Sequence, residues 1–285
     1  MLHFVDDGQY TNSFGLQWNE WACVQLDTPE IPHSEQRMGD ETGFTPADFA
    51  GKVVLEAGCG MGRFIDVISR WGAKMAIGID YSSAVDAAAT NMADRDNVVI
   101  AQADIFDLPF EPGSIDIVVS LGGLHHTPDC EAAFKALVPL VKPGGEIAIS
   151  VYAAVHRPGP AWALNMERRR ILRIGTRRVP KPAMLWWSKR IVPFFVKLDK
   201  VPVLRNVRLL FPVLMDREFP TSWSVLDTFD AYATEHESRH RPKEVFRWFR
   251  EMGLVDLDLL DSEDGWVSVR GRQPAPGSEA QAFTS

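Results

Sequence analysis

Short apolar runs, each closing on an acid or a glycine-rich turn, recur along the first half of the chain. Val53-Val54-Leu55 runs into Glu56, Ala76-Ile77-Gly78-Ile79 into Asp80, and Val98-Val99-Ile100-Ala101-Gln102-Ala103 into Asp104. Ile115-Asp116-Ile117-Val118-Val119-Ser120 leads to Leu121-Gly122-Gly123-Leu124-His125-His126. Glu146-Ile147-Ala148-Ile149-Ser150-Val151-Tyr152 follows the expected turn Lys142-Pro143-Gly144-Gly145. Runs of this length, rich in β-branched residues, suit a parallel sheet covered on both faces. Near the C-terminus, Pro242 predicts the start of a helix carrying Val245, Phe246, Trp248, Phe249 and Met252, with Gly253 ending it. Leu254–Leu260 and Trp266–Val269 then read as a closing strand pair. The expected fold is α/β: a doubly wound, mostly parallel, seven-stranded sheet with a helical insert after strand five.

The first run continues as Ala57-Gly58-Cys59-Gly60-Met61-Gly62-Arg63-Phe64, so a strand, a three-glycine turn and a helix start share one stretch. Glycines tolerate positive φ and leave no Cβ in the path of a ligand approaching the backbone. Asp80 stands where a ribose-binding carboxylate is expected, about 20 residues beyond the turn. A pyridine or flavin dinucleotide site uses a similar turn, but its third glycine falls three residues after the second. Arg63 occupies that position here, and the nearby acid Glu56 suits an ammonium group better than a phosphate.

In this succession of motifs, residues 51–152 resemble the class I S-adenosylmethionine-dependent methyltransferases. The opening Phe14-Gly15-Leu16-Gln17-Trp18-Asn19, and the ending Leu226-Asp227-Thr228-Phe229-Asp230 through Arg239-His240, resemble a bacterial small-molecule subgroup. The resemblance implies a Rossmann-like fold, S-adenosylmethionine as cofactor and S-adenosylhomocysteine as product. It also implies that Glu56 serves the methionine amino group and that Ala57, Gly58 and Gly60 pass beside the cofactor. Asp80 would then take the ribose hydroxyls, Tyr81, Asp104 and Ile105 would border the adenine, and Ser120 and Leu121 would close the methionine side. Gln17 and Trp18 are candidates to touch the cofactor from a covering segment.

Candidate chemistry at the acceptor lies in the loop after strand four. His126 or His125 could take a proton from a hydroxyl, phenol or carbon acid, because imidazole titrates near neutrality. Either could equally anchor the loop ahead of Thr127-Pro128-Asp129, where Asp129 is expected to cap a helix beginning near Glu131. Tyr152, Glu237, Arg239 and His240 are candidates to border the acceptor pocket. His236-Glu237-Ser238-Arg239-His240 also fits H-E-x-x-H, a zinc pattern that needs a continuing helix and a third ligand. Pro242 biases the preceding residue toward extended backbone, so no metal is expected.

The sequence of 285 residues divides into an N-terminal helical cover (1–50), a cofactor-binding core (51–152), an insert (153–216), a completing segment (217–272) and a disordered tail (273–285). Net charge is −8, yet the stretch from Arg157 to Arg208 holds fourteen Lys or Arg against two acids, Glu167 and Asp199. That stretch is also apolar, with Leu185-Trp186-Trp187 and Ile191-Val192-Pro193-Phe194-Phe195-Val196. It reads as a solvated cap, a lid over an apolar substrate with an anionic head, or a peripheral contact with an anionic membrane. Overall acidity disfavours a nucleic-acid partner. Cys23, Cys59 and Cys130 form no pair motif, and neither a secretory signal nor a membrane span is apparent, so a cytoplasmic location is expected. The most direct functional reading is methyl transfer to an oxygen or carbon of a small, partly apolar metabolite, neutral or anionic. The alternatives are an RNA or protein methyltransferase and a cofactor-binding protein without turnover.

Overall fold

The computed structural model describes residues 2–5, 11–154, 160–201, 207, 210–215, 218–260 and 265–277. One sheet runs through it: β1 (Leu2–His3), β2 (Val53–Ala57), β3 (Met75–Asp80), β4 (Val98–Gln102), β5 (Ile115–Leu121), β6 (Val141–Tyr152), β7 (Val255–Leu260) and β8 (Trp266–Arg272). Their spatial order is β1-β4-β3-β2-β5-β6-β8-β7. Neighbours pair in parallel except at β8, which is antiparallel to both β6 and β7. The seven expected strands are therefore present. The eighth, β1, adds Leu2 against Ala101 at the sheet edge, within a segment expected to be wholly helical. Two residues are too few to display a period.

Lys142–Gly145, expected as a turn, lies inside β6. Gly144 takes φ +79 there, and a Cβ on Gly145 would lie 2.6 Å from the Asp116 carbonyl oxygen. The strand can pass only because these residues are glycine.

Side-chain alternation divides the sheet between two apolar layers. Leu55 and Ala57 point to one side with Ile147 and Ile149, where α6 (Cys130–Leu137) contributes Phe134 and α10 (Pro242–Glu251) contributes Val245, Trp248 and Phe249. Val54 points to the other, against Met38 of α2 (His33–Thr42), Phe49 of α3 (Pro46–Phe49), Phe64, Ile65 and Ile68 of α4 (Arg63–Arg70) and Val85 of α5 (Ala84–Asn91). A one-residue slip of β2 would exchange the two sets, and each buried Leu, Ile or Phe is worth about 1.5–3 kcal/mol. Burial therefore sets the register that fixes where Glu56 points. Asp129 caps α6 as expected, accepting from Ala132 N–H at 2.9 Å, and Gly253 leaves α10 with φ +73.

A third apolar cluster forms a roof. It joins Trp21, just beyond α1 (Asn12–Glu20), to Met184, Val192 and Phe195 of α8 (Lys181–Leu198) and to Phe229 and Tyr232 of α9 (Thr221–Ala233). Helix α7 (Pro160–Thr176) is tied to it through Arg173, which donates to the Ala231 carbonyl at 2.7 Å. Helix α9 was expected within the sheet-completing segment; instead it packs against α8. At the other end, Gln273 exchanges backbone hydrogen bonds with Gly144 and Gly145, so the expected disordered tail is paired at its first residue. Its residues 278–285, and 155–159, 202–206, 208–209 and 216 of the insert, lie outside the described residues.

Candidate active site

Strand order reverses between β2 and β5, because the chain builds outward from β2 through β3 and β4 and then crosses back to β5. Open α/β sheets leave a crevice at the carboxyl ends of the strands flanking such a point. A cavity of about 230 Å³ occupies it. Its floor is the glycine turn. Gly58 and Cys59 N–H both donate to the Ile79 carbonyl, at 2.8 and 2.9 Å, and Gly60 N–H donates to Asp80 Oδ2 at 2.9 Å. Asp80 Oδ1 accepts from both the amide and the hydroxyl of Ser82, at 2.9 and 2.7 Å. Gly58 and Gly60 sit at φ +80 and +53. A Cβ on Gly58 would lie 3.1 Å from Gly123 Cα, and one on Gly60 would lie 3.1 Å from the Trp18 indole nitrogen.

Beside the turn, Glu56 is buried and neither carboxyl oxygen has a hydrogen-bond partner. Burial pushes its pKa well above the ordinary 4.5, with Arg63 opposing the shift and Asp80 reinforcing it. The Ile65 N–H tempers it too, without reaching hydrogen-bond geometry. Arg63 donates from Nε to Ser34 Oγ at 3.0 Å and from Nη1 to Gln25 Oε1 at 2.7 Å, while its buried Nη2 has no partner. Burial and neighbouring Arg37 pull its pKa down to about 9. From the roof, Gln17 brings a fully buried amide whose oxygen and nitrogen both lack partners at normal geometry. Such orphaned groups are costly to bury without a ligand, which makes their convergence on one cavity informative.

On the far side of the turn the wall becomes aromatic. Phe14, His126, Tyr152 and Trp266 line it, together with Leu226 and Asp230 of α9. His126 Nδ1 lies 3.0 Å from the His236 carbonyl oxygen. A carbonyl only accepts, so Nδ1 carries the hydrogen and Nε2 of the neutral ring keeps its lone pair. The Phe14 ring stands 4.9 Å from the imidazole. Burial raises the Asp230 carboxyl above its ordinary value, and the proximity of His126 works against that rise. Gln17 faces Asp230 closely enough to lower it further, although without hydrogen-bond geometry.

Glu56, Ala57, Gly58, Gly60, Asp80, Tyr81, Ile105, Leu121, Gln17, Trp18, His126 and Tyr152 therefore meet at the cavity. The remaining candidates do not. His125 is fully buried behind His126 and Tyr152, with ring centroids 4.2 and 3.9 Å away, and neither ring nitrogen is bonded. Burial holds it neutral, well below the ordinary imidazole value, so it is packing and not a base in contact with the cavity. Asp104 turns its Oδ1 to the Phe106 amide at 3.0 Å, closing a local turn. Ser120 donates to the Ala57 carbonyl at 2.7 Å and so ties β5 to β2 inside the sheet.

Glu237 is the centre of an arginine cluster. Arg173 bonds to it, and Arg239 Nη2 donates at 2.9 Å. These arginines hold its carboxyl below the ordinary value against the effect of burial. Arg239 also spreads its guanidinium over the Tyr152 ring at 5.0 Å, bracing the cavity wall from behind. His240 lies between Ser238 Oγ, 2.8 Å from Nε2, and Glu244 Oε1, 3.0 Å from Nδ1, and its backbone bridges to Ala153. Residues 236–240 are not helical, and among the described residues no His, Cys, Asp and Glu group could hold a metal.

Sequence reading missed Arg37, Arg63, Asp230 and Trp266 as wall residues. Arg37 stacks over Trp266 at 4.7 Å while its Nε bonds Glu41 Oε1 at 2.6 Å. Arg63 left a sequence trace as the bulky residue where a dinucleotide site needs glycine, and Asp230 did so as the last residue of the Leu226–Asp230 motif.

The family model described as a methyltransferase domain matches residues 55–149, the stretch that builds the turn, the cavity floor and β5. Residues 55–149 therefore form a class I S-adenosylmethionine-dependent methyltransferase domain. Among relatives of this chain is a ubiquinone biosynthesis O-methyltransferase of Neisseria meningitidis (serogroup A), 36% identical over 110 residues, 36% of this chain and 45% of that one. Another is a 27-O-demethylrifamycin SV methyltransferase of Amycolatopsis mediterranei, 31% identical over 130 residues, covering 44% and 47%. The chain thus spans about half the length of the curated relatives it matches. A solved structure, the DhpI–SAH complex, superposes with a TM-score of 0.53 at 15% identity, over 92% of this chain and 94% of the other, and shares the fold. The residues present fit S-adenosylmethionine: an unpartnered buried carboxylate, an unpartnered guanidinium nitrogen and a glycine cradle that any Cβ would fill converge on one cavity.

Proposed function

We propose that this methyltransferase transfers its methyl group to an oxygen of a small, partly apolar metabolite held between the sheet rim and the roof of α9. The observation that carries the reading is the His126 ring in the aromatic wall, with its Nδ1 hydrogen committed to the His236 carbonyl and its Nε2 free to accept a proton. The two relatives above, a ubiquinone biosynthesis O-methyltransferase and a 27-O-demethylrifamycin SV methyltransferase, support an oxygen acceptor on a small molecule.

When bound, S-adenosylmethionine supplies an electrophilic methyl on sulfur for in-line displacement. Glu56 receives the ammonium group, and the Arg63 Nη2 receives the carboxylate, so each unpartnered buried group gains its opposite charge. Asp80 meets the ribose hydroxyls while its bonds to Gly60 and Ser82 hold it still. Tyr81 and Ile105 border the adenine. Phe14, Tyr152 and Trp266 keep the acceptor's apolar part against the wall and exclude water. Holding two reactants in contact geometry can itself remove about 7–11 kcal/mol of barrier. His126 Nε2 takes the hydroxyl proton, and Asp230 across the cavity stabilises the imidazolium that results.

Incubation of a metabolite extract with a trideuteromethyl donor, read by mass spectrometry, tests the proposal. A small hydroxylated compound is expected to gain one labelled methyl. Label confined to RNA or protein, or no labelled product at all, would reject it.

A further inference from the structure

Helix α8 turns one face into the roof cluster, through Met184, Ser188, Val192 and Phe195, and presents the opposite face to solvent. That outer face carries Trp186, 60% exposed, and Phe194, 56% exposed, on the same stripe as Lys189, Arg190 and Lys197, with Lys200 just beyond. Between residues 181 and 200 the one acid is Asp199, which is partly buried. Lys189 is paired with Glu20. The apolar surface continues past the helix end. Phe194 packs on Phe195 and Phe195 on Phe211, with centroids 5.5 and 5.0 Å apart, and Phe211 and its neighbour Leu210 are 40% and 76% exposed.

Two large aromatics, a leucine and a phenylalanine in open water are costly for a soluble surface, and an excess of cations over acids among them repels a second copy of the same face. A phospholipid bilayer answers both features. Its interfacial zone accepts aromatic rings and a leucine side chain, and anionic headgroups attract each cation near the surface. No described helix is long and apolar enough to cross a membrane, so contact is limited to the surface. We infer that the outer face of α8, with Leu210 and Phe211, docks this protein on an anionic phospholipid membrane.

Docking does not depend on the identity of the methyl acceptor. It places the roof, which shares α9 with the candidate acceptor wall, against a lipid phase where apolar metabolites accumulate.

Co-sedimentation of the full chain with vesicles tests the inference. Vesicles of phosphatidylcholine with phosphatidylglycerol are expected to pellet the protein, and vesicles of phosphatidylcholine alone are not. Raising the salt concentration should release it. The triple variant Arg190→Glu, Lys197→Glu, Lys200→Glu should lower the partition coefficient at least tenfold, as should the pair Trp186→Ser, Phe194→Ser. Both variants are expected to bind S-adenosylhomocysteine like the parent, since neither touches the cavity. Should either fail to fold, the salt and lipid dependence of the parent still decides. Absent binding, equal binding to neutral vesicles, indifference to salt, or a concentration-dependent dimer abolished by the Trp186→Ser, Phe194→Ser pair would each overturn the inference.

Discussion

The Gly60 amide donates to Asp80 Oδ2 at 2.9 Å, so the acid that ends β3 pins the turn that follows β2. One carboxylate thereby shapes the cavity floor and, in the proposed reading, also meets the ribose. Asp80→Ala removes both contributions. Hydrogen bonds to a charged partner are worth about 1.5–3 kcal/mol each, so the variant should bind S-adenosylhomocysteine roughly 100-fold more weakly by calorimetry. Unchanged affinity would refute the assignment.

Gly60 and Gly51 both occupy the left-handed region, at φ +53 and +72, but only Gly60 faces a neighbour, the Trp18 indole. Alanine at either position costs about 1–2 kcal/mol of backbone strain. Thermal melts of Gly60→Ala and Gly51→Ala should therefore fall by similar amounts. Nucleoside affinity should fall in Gly60→Ala alone, because displacing Trp18 opens the cover over the turn.

Glu56 supplies a pH signature. Unfolded, it titrates near 4.5; folded and without ligand, burial raises it well above that. The folded chain then retains a proton that the unfolded chain releases. The group's contribution to stability is complete below 4.5 and is lost as pH rises toward the folded value. Glu56→Gln should flatten this slope and raise the melting temperature of the ligand-free protein at neutral pH while weakening nucleoside binding. In the parent, an arriving ammonium favours the carboxylate, so binding should release protons. Calorimetric enthalpies in buffers of different ionisation enthalpy will show a buffer dependence in the parent and lose it in Glu56→Gln.

His126→Ala should lower kcat by roughly 10²–10⁴, the usual worth of a general base, and leave S-adenosylhomocysteine affinity within about threefold. Asp230→Asn should lower kcat less, because a neutral amide still fills its place in the wall but no longer stabilises an imidazolium. His125→Asn should act on the melting temperature and not on the pH profile of kcat. A His126 variant that turns over normally would remove it from the mechanism.

The sheet and the glycine turn under the cavity were legible because they depend on backbone. Val53-Val54-Leu55 must be a buried strand, and Gly58 and Gly60 advertise conformations that other residues avoid. What escaped depends on side-chain competition. Asp104 and Ser120 carry the right chemistry at the right strand ends, yet each finds a partner in the adjacent backbone, the Phe106 amide and the Ala57 carbonyl, before it can face the cavity. Glu237, Arg239 and His240 are drawn into ion pairs and caps behind the wall. Asp230 and Trp266 reach the cavity only through the packing of α9 on α8 and the pairing of β8 with β6, contacts between residues far apart in sequence.

Titration calorimetry of the pure protein with S-adenosylhomocysteine, alongside a pyridine dinucleotide, tests the central claim most directly. One equivalent of S-adenosylhomocysteine should bind with measurable heat, and the dinucleotide should give none. Heat from the dinucleotide with silence from S-adenosylhomocysteine would contradict it.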